Sequence, residues 1–118
     1  MEPKDKLDLA VRAVDDKNAH QITALNMQEV SLMADYFVIC HGNSETQVEA
    51  IAREVKDRAN IAGLDVKRLE GLEDARWVLI DLNDVIVHVF HKDERPYYNL
   101  EKLWGDAPVM ELENIIQP

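Results

Sequence analysis

The chain has 118 residues, and 47% of them are hydrophobic, which is enough for one domain with an ordinary core. Its 23 acidic and 13 basic residues give a formal net charge of −10. That balance argues against a free-standing DNA or RNA binder, whose affinity depends on Lys and Arg, and it favours a basic partner.

The single cysteine and the N-terminus indicate a cytoplasmic protein. Cys40 has no partner for an intrachain disulfide, which suits a reducing compartment. Residues 1–8 are charged and lack the apolar segment of a signal peptide, so we expect a chain that begins at Met1 without a leader. No apolar run approaches the ~20 residues of a membrane span, so we expect no membrane contact.

The first third of the chain predicts one helix and two strands. Apolar residues recur at helical spacing from Lys4 to Asp16, and Asn18 could end that helix. Residues 21–27 predict a short strand, and residues 35–42 predict a second one with many aromatic and β-branched side chains. We interpret Cys40, on the second strand, as a buried structural thiol.

A strand-to-helix turn follows at residues 42–44. Ser44 and Gln47 have the spacing of a capping box, in which each side chain bonds an unpaired backbone N–H. The helix after it carries one apolar stripe and ends near Gly63. Phosphate-binding loops occupy such turns, but this one lacks their glycine patterns, so we interpret it as a helix cap. Residues 64–69 then predict a strand.

Two strands around an Asn-Asp turn predict a β-hairpin. Residues 77–82 and 85–90 flank Asn83 and Asp84, which tolerate the backbone of a two-residue turn. This turn pairs residue 82 with residue 85 and residue 78 with residue 89. One face of the hairpin is wholly aliphatic, and we expect it to pack on helices: Val78, Ile80, Leu82, Val85, Val87 and Val89.

The opposite face of the hairpin mixes large apolar groups with an acid and an imidazole. Its side chains are those of Trp77, Leu79, Asp81, Ile86, His88 and Phe90. Such a mixture is typical of the centre and rim of a protein contact. Cover by another helix explains the face equally well, and the sequence leaves both interpretations open.

Residues 91–104 predict a last helix, which Asp93 would cap and Gly105 would end. Its apolar side chains lie on more than one side: Tyr97, Tyr98, Leu100, Leu103 and Trp104. Such a helix is either buried on two sides or presents a contact surface. Both interpretations remain open for this segment.

The order of elements predicts an α/β fold in which helices pack on a mixed sheet of about five strands. Residues 1–108 are expected to form a single domain. The structure of the tail, residues 109–118, is left open.

The sequence predicts no catalytic centre, no metal site and no cofactor. His88 and His91 fall on opposite faces of one strand, so they cannot share a metal there. A nucleotidyltransferase would need an Asp-x-Asp pair for magnesium near the turn at residues 42–44. The one acid-x-acid pair of the chain is Glu111 with Glu113, in the tail.

Two stretches of the chain strongly resemble the ribosomal silencing factor family, the iojap-like proteins. Residues 77–90 read WVLIDLNDVIVHVF, and residues 95–104 read RPYYNLEKLW. The sequence DYFVI at residues 35–39 matches the N-terminal half of the same pattern. The resemblance runs from the first helix to Pro108.

The resemblance implies a nucleotidyltransferase-like fold without the catalytic carboxylates, and a protein that is not an enzyme. It also implies binding to a basic protein on the intersubunit face of the large ribosomal subunit, the fourteenth of the large-subunit series. Bound there, the chain would block joining of the small subunit and repress translation when nutrients run short. We expect the contact to centre on Trp77, Asp81, His88, Tyr98, Leu100, Glu101, Leu103 and Trp104.

Two other functions remain open. A small nucleotidyltransferase-like enzyme would change its thermal stability on addition of magnesium–ATP. A self-associating module would pair its mixed hairpin face with a second copy, and such a homodimer could coexist with ribosome binding. Whether Trp77 and Trp104 are interface or core residues is equally open.

Overall fold

The computed structural model describes residues 1–116 as a five-stranded sheet with two long helices on one face. The strand order is β1-β2-β5-β4-β3, with β2 and β5 parallel and the other neighbours antiparallel. The predicted α/β fold with a mixed sheet is therefore confirmed. The elements are α1 (Pro3–Asp16), β1 (His20–Asn26), β2 (Tyr36–Gly42), α2 (Glu45–Ile61), β3 (Arg68–Glu70), β4 (Trp77–Asp81), β5 (Val85–His91), α3 (Arg95–Tyr98) and α4 (Leu100–Leu103).

The start of α2 shows how the sequence sets a helix boundary. The Ser44 side chain accepts a hydrogen bond from the Gln47 backbone N–H at 3.1 Å, as the capping box predicts. The Gln47 side chain differs from the prediction, because it accepts from the backbone N–H of Asn43 instead of that of Ser44. Its amide also donates to the carbonyls of Lys17 and Asn18, which ties α2 to the end of α1.

The hairpin of β4 and β5 has the predicted register. Val78 pairs with Val89 and Ile80 with Val87, and Asn83 takes a positive φ of 80° in the turn. The aliphatic face is buried against α1 and α2, because alternation sends every second side chain to the helical side. Cys40 is buried on that side as well, which confirms the interpretation of a structural thiol, and burial raises the pKa of the thiol to about 12.

Two predicted elements are wrong in extent. The strand expected at residues 64–69 is Arg68–Glu70, and it pairs with β4 from Arg68 opposite Asp81. The helix expected at residues 91–104 is two helices of four residues each, and residue 91 ends β5. Asp93 is not its cap, because α3 begins at Arg95 and has Glu94 at the N-cap position.

Asn99 is the physical reason for the break in the last helix. Its backbone takes φ 48° and ψ 57°, the left-handed conformation that ends α3 and precedes α4. Asparagine adopts this conformation more readily than most residues. The break turns α4 relative to α3, so that Leu100 is buried and Tyr97 is 79% exposed.

The described part of the tail runs along the outer edge of the sheet. Val109 forms an isolated antiparallel bridge with Leu25, and the Met110 N–H donates to the carbonyl of Ala24 at 2.8 Å. Apolar side chains further along the tail then pack against the helix-side core: Met110, Leu112, Ile115 and Ile116. Residues 109–116 thus cover an edge strand that would otherwise be open.

Two glycines with positive φ offer a matched test of the turn before β4. A Cβ on Gly71 would overlap the carbonyl oxygen of Trp77, whereas a Cβ on Gly63 would meet nothing within 4 Å. Both alanine variants are strained by about 1–2 kcal/mol. We expect Gly71→Ala to cost about 1–3 kcal/mol more than Gly63→Ala in urea unfolding, because β4 must move. Equal losses of unfolding free energy in the two variants would contradict the close approach of Gly71 to Trp77.

Candidate functional site

The side of the sheet opposite α1 and α2 carries a second apolar cluster that is only partly covered. Phe90 is fully buried at its centre, and Phe37 and Ile86 are buried beside it. Leu100 of α4 and Ala107 cover part of this cluster, while Trp77, Leu79 and Trp104 remain half-buried. We call the outward side chains of β4, α3, α4 and the residue that ends α4 the aromatic surface: Trp77, Leu79, Tyr98, Leu103 and Trp104.

Trp77 lies at the centre of a group of aromatic rings. Its ring centroid is 4.5 Å from that of Tyr98 and 5.1 Å from that of Phe90. Its indole N–H donates to Nδ1 of His88 at 3.2 Å. Aromatic pairs at these distances are favourable beyond the area that they bury. The contacts therefore fix Trp77 while part of the indole stays in contact with solvent.

His88 is buried and neutral. Because Trp77 donates to Nδ1, the ring proton lies on Nε2, and that atom is buried without a hydrogen-bond partner. Burial lowers the pKa of His88 to about 4, since the charged ring would be cut off from water. The ring of Phe37 meets it edge-on at 4.8 Å, so the imidazole acts as part of the apolar base of the surface.

Leu103 and Tyr98 are the most exposed members of the aromatic surface. Leu103 is 69% exposed and Tyr98 is 42% exposed. Trp104 packs edge-on against Phe37 with centroids 6.0 Å apart, and Leu100 is buried beneath. Leu103 therefore contributes little to the described fold, whereas Leu100 anchors α4.

The two acidic residues predicted for the contact already have partners. Asp81 accepts the backbone N–H of Asn83 at 2.8 Å and pairs with Arg68 at 3.3 Å. Glu101 accepts two hydrogen bonds from Arg95 through one carboxylate oxygen. The sequence predicted both residues as part of the contact, and in the fold their charges are compensated by Arg68 and Arg95.

Arg95 is the residue of this region that sequence reasoning missed. It is only 6% exposed, yet no pattern marks it, because residues 95 and 101 would face different sides of one continuous helix. The break at Asn99 brings Arg95 and Glu101 together. Without a sequence signal for this helix break, the pairing of Arg95 with Glu101 could not be predicted.

A cavity of about 380 Å³ lies at the carboxyl ends of the parallel strands β2 and β5, where open α/β sheets often bind ligands. His41, Lys92, Arg95 and Glu101 are among its lining residues, and the Glu101 carboxylate is bound to Arg95. Among residues 1–116, no cluster of three or more His, Cys, Asp or Glu side chains is placed to hold a metal ion.

The fold and the surface together define a class: a small α/β domain that presents aromatic side chains on the sheet face away from its long helices. The family model described as "Ribosomal silencing factor during starvation" matches residues 1–118. This chain belongs to that family, and the match continues ten residues past Pro108, where the sequence resemblance ended.

Individual relatives agree with this assignment. The chain is 67% identical over 116 residues to the ribosomal silencing factor RsfS of Halalkalibacterium halodurans, covering 98% of this chain and 99% of that protein. It is 63% identical over 113 residues to RsfS of Bacillus subtilis, covering 96% of each. A crystal structure of a Bacillus halodurans protein matches with a TM-score of 0.83 and 65% identity, covering 92% of this chain and 98% of that one.

No helix within residues 1–116 combines the length and the apolar character that crossing a membrane requires.

Proposed function

We propose that the chain is a translational repressor that binds the large ribosomal subunit and sterically blocks joining of the small subunit. Its partner would be a basic protein on the intersubunit face, the fourteenth of the large-subunit series. Membership of the silencing-factor family supports a role at the ribosome. The observation that carries the proposal is an aromatic surface held in place by the fold and left partly open.

The aromatic surface has the composition of an interface centre. Tryptophan and tyrosine are enriched among residues that dominate binding energy, because they bury large areas with few rotatable bonds. Trp77 and Tyr98 are in contact, with centroids 4.5 Å apart, so their position requires little further ordering on binding. The proposed contact residues are the eight predicted from the sequence, with His88 and Leu100 supporting the surface from beneath.

The charge of the chain supports a basic partner. With a net charge of −10, the protein would be attracted to a basic surface, and the attraction would weaken with salt. Because Asp81 and Glu101 are paired internally, exposed acids around the surface would supply most of this steering. Glu73 and Asp74 precede Trp77, and Asp106 follows Trp104; all three are exposed.

We also propose that the fold is nucleotidyltransferase-like and has no catalytic activity. The strand-to-helix turn at residues 42–44 and the neighbouring cavity are where such an enzyme would hold a nucleotide. Glu101 in that cavity is bound to Arg95, and the acid-x-acid pair, Glu111 and Glu113, lies in the tail. Magnesium–ATP is expected to leave the melting temperature unchanged; a clear rise would support the enzyme instead.

The free protein would also be able to pair through the aromatic surface, since an apolar surface without its partner favours a second copy. We propose a homodimer that exchanges with the ribosome-bound form in the cytoplasm. Sedimentation of Leu103→Ala is expected to show less dimer than the parent. The same fraction of dimer in the parent and in Leu103→Ala would place self-association on another surface.

The proposed function is tested by binding to isolated subunits. We expect the parent to copurify with large subunits and not with small ones. Leu103→Ala should lose roughly tenfold in affinity, about 1.4 kcal/mol, with an unchanged melting temperature, since the side chain is 69% exposed. Ile61→Ala is the matched control, because Ile61 is 88% exposed at the end of α2, a helix on the other side of the sheet. Equal binding by both variants would remove Leu103 from the contact.

A further inference from the structure

Arg95 is a buried cation whose hydrogen-bonding capacity is fully used. Nε and Nη2 donate to one oxygen of Glu101 at 3.2 and 2.9 Å. Nη1 donates to the His20 carbonyl at 3.3 Å and contacts Nδ1 of His41 at 2.9 Å. Nη2 also reaches the Thr23 hydroxyl at 3.4 Å. Since a guanidinium has five N–H groups, none is left over for a ligand in the neighbouring cavity.

These contacts connect α3 and α4 to the sheet. His20 and Thr23 belong to β1, His41 belongs to β2, and Glu101 belongs to α4. Helices of four residues are not stable alone, so their position depends on tertiary anchors. The buried residue of α3 is Arg95, and the buried residue of α4 is Leu100, whose side chain is apolar.

We propose that Arg95 is a positioning residue for partner binding: its guanidinium fixes α4 on the sheet and thereby places Leu103 and Trp104. The inference rests on the proposed function. Arg95 itself does not contact the partner, because it is 6% exposed and its donors are occupied. Its effect on binding passes through the orientation of α4.

Lysine cannot replace this arginine. An ammonium has three donors on one atom, whereas Arg95 reaches acceptors on β1, β2 and α4 with a planar fork. Glu101 already has one buried carboxylate oxygen without a partner, so weaker pairing leaves a partly buried carboxylate poorly compensated. Arg95→Lys is therefore expected to loosen α4 while keeping the net charge.

The contact between Arg95 and His41 predicts a pH dependence of partner binding, which a simple packing role of Arg95 would not give. Nδ1 of His41 can accept only while it is unprotonated. The ring faces His20 on β1, Arg95 on α3, Glu101 on α4 and His91 on β5, and Lys92 lines the same cavity. Burial and the nearby Arg95 lower the pKa of His41 below 6.5, so the ring accepts at neutral pH and loses this role in acid.

The test compares Arg95→Lys with Arg58→Lys. Arg58 also joins two elements by ion pairs, to Asp16 and Glu54, but it lies on the helical side. We expect Arg95→Lys to bind isolated large subunits roughly tenfold more weakly and to exchange amide hydrogens faster at residues 95–104. Arg58→Lys should keep the parent's affinity for large subunits and its rate of amide exchange at residues 95–104. Lowering the pH through the depressed pKa of His41 should weaken large-subunit binding by the parent more than binding by His41→Asn, whose amide oxygen takes the place of Nδ1 and still accepts.

A double variant separates positioning from general destabilisation. If Arg95 acts through α4, Arg95→Lys combined with Leu103→Ala should lose less affinity than the sum of the single losses. Unchanged exchange at residues 95–104, or fully additive losses, would overturn the inference. Because hydrogen exchange needs no partner, it tests the positioning by itself. Failure of the parent to bind large subunits would instead overturn the proposed function.

Discussion

Replacing Trp77 with alanine is expected to weaken binding to large subunits by about 2–4 kcal/mol, or roughly 30- to 900-fold. The indole is held against Tyr98 and Phe90, with centroids 4.5 and 5.1 Å away, and it donates to His88. A large side chain that is already ordered loses little entropy on binding, so most of its buried area contributes to affinity. Affinity for isolated large subunits is the quantity to measure.

The same truncation also destabilises the domain, because it removes contacts with Phe90 and Tyr98. Urea unfolding of Trp77→Ala therefore has to accompany the binding measurement. Trp77→Phe is the matched control, since it keeps an aromatic ring and loses only the indole donor and part of the area. A binding loss that the unfolded fraction explains completely would make Trp77 a core residue and contradict its place in the contact.

The stability of the fold is expected to fall by about 3 kcal/mol between about pH 7.5 and about pH 4 because of His88 alone. Burial lowers the pKa of this ring from 6.5 to about 4 in the folded state. In that interval the unfolded chain binds a proton that the folded protein does not. The contribution of His88 is therefore fully present above pH 6.5 and is lost as the pH falls toward 4.

His88→Asn isolates this contribution, because asparagine does not titrate and can still accept from the indole of Trp77. Unfolding free energies of the parent and the variant at both pH values give the difference, while the titrations of the many carboxylates cancel. Between the two pH values, the unfolding free energy of the parent should fall by about 3 kcal/mol more than that of His88→Asn. Equal losses would mean that His88 is protonated, or open to water, in the folded protein.

Strict alternation made the hairpin predictable from the sequence. With Asn83 and Asp84 as a two-residue turn, the register follows directly, and the structure has the same pairs. A one-residue shift of either strand would have moved its three aliphatic side chains to the wrong face. The stripe on α2 was equally informative, because Val48, Ile51, Val55 and Ala59 repeat at helical spacing and all are fully buried.

The last helix was mispredicted because its break depends on one backbone conformation. The dense apolar residues after Pro96 suit a continuous helix, and Asn99 carries no strong stop signal in a single sequence. Its left-handed φ of 48° turns the chain so that Leu100 is buried and Glu101 meets Arg95. Tertiary contacts thus decide what local propensity leaves open.

The mixed face of the hairpin could not be assigned from the sequence for a related reason. Its residues satisfy both interpretations: Phe90 and His88 are buried under other elements, while Trp77 and Leu79 stay half-exposed. Short helices cover only part of the face, and periodicity cannot say how far such a cover extends. The burial of Arg95 is equally invisible, since an arginine gives no apolar signal.

The steric mechanism is tested most directly by the joining of purified ribosomal subunits in sucrose gradients. Saturating amounts of the parent protein should reduce the joined ribosome peak and remain with the large subunit. Leu103→Ala at the same concentration should leave more joined ribosomes, whereas Ile61→Ala should act like the parent. An unchanged peak of joined ribosomes with the parent bound to large subunits would contradict the account.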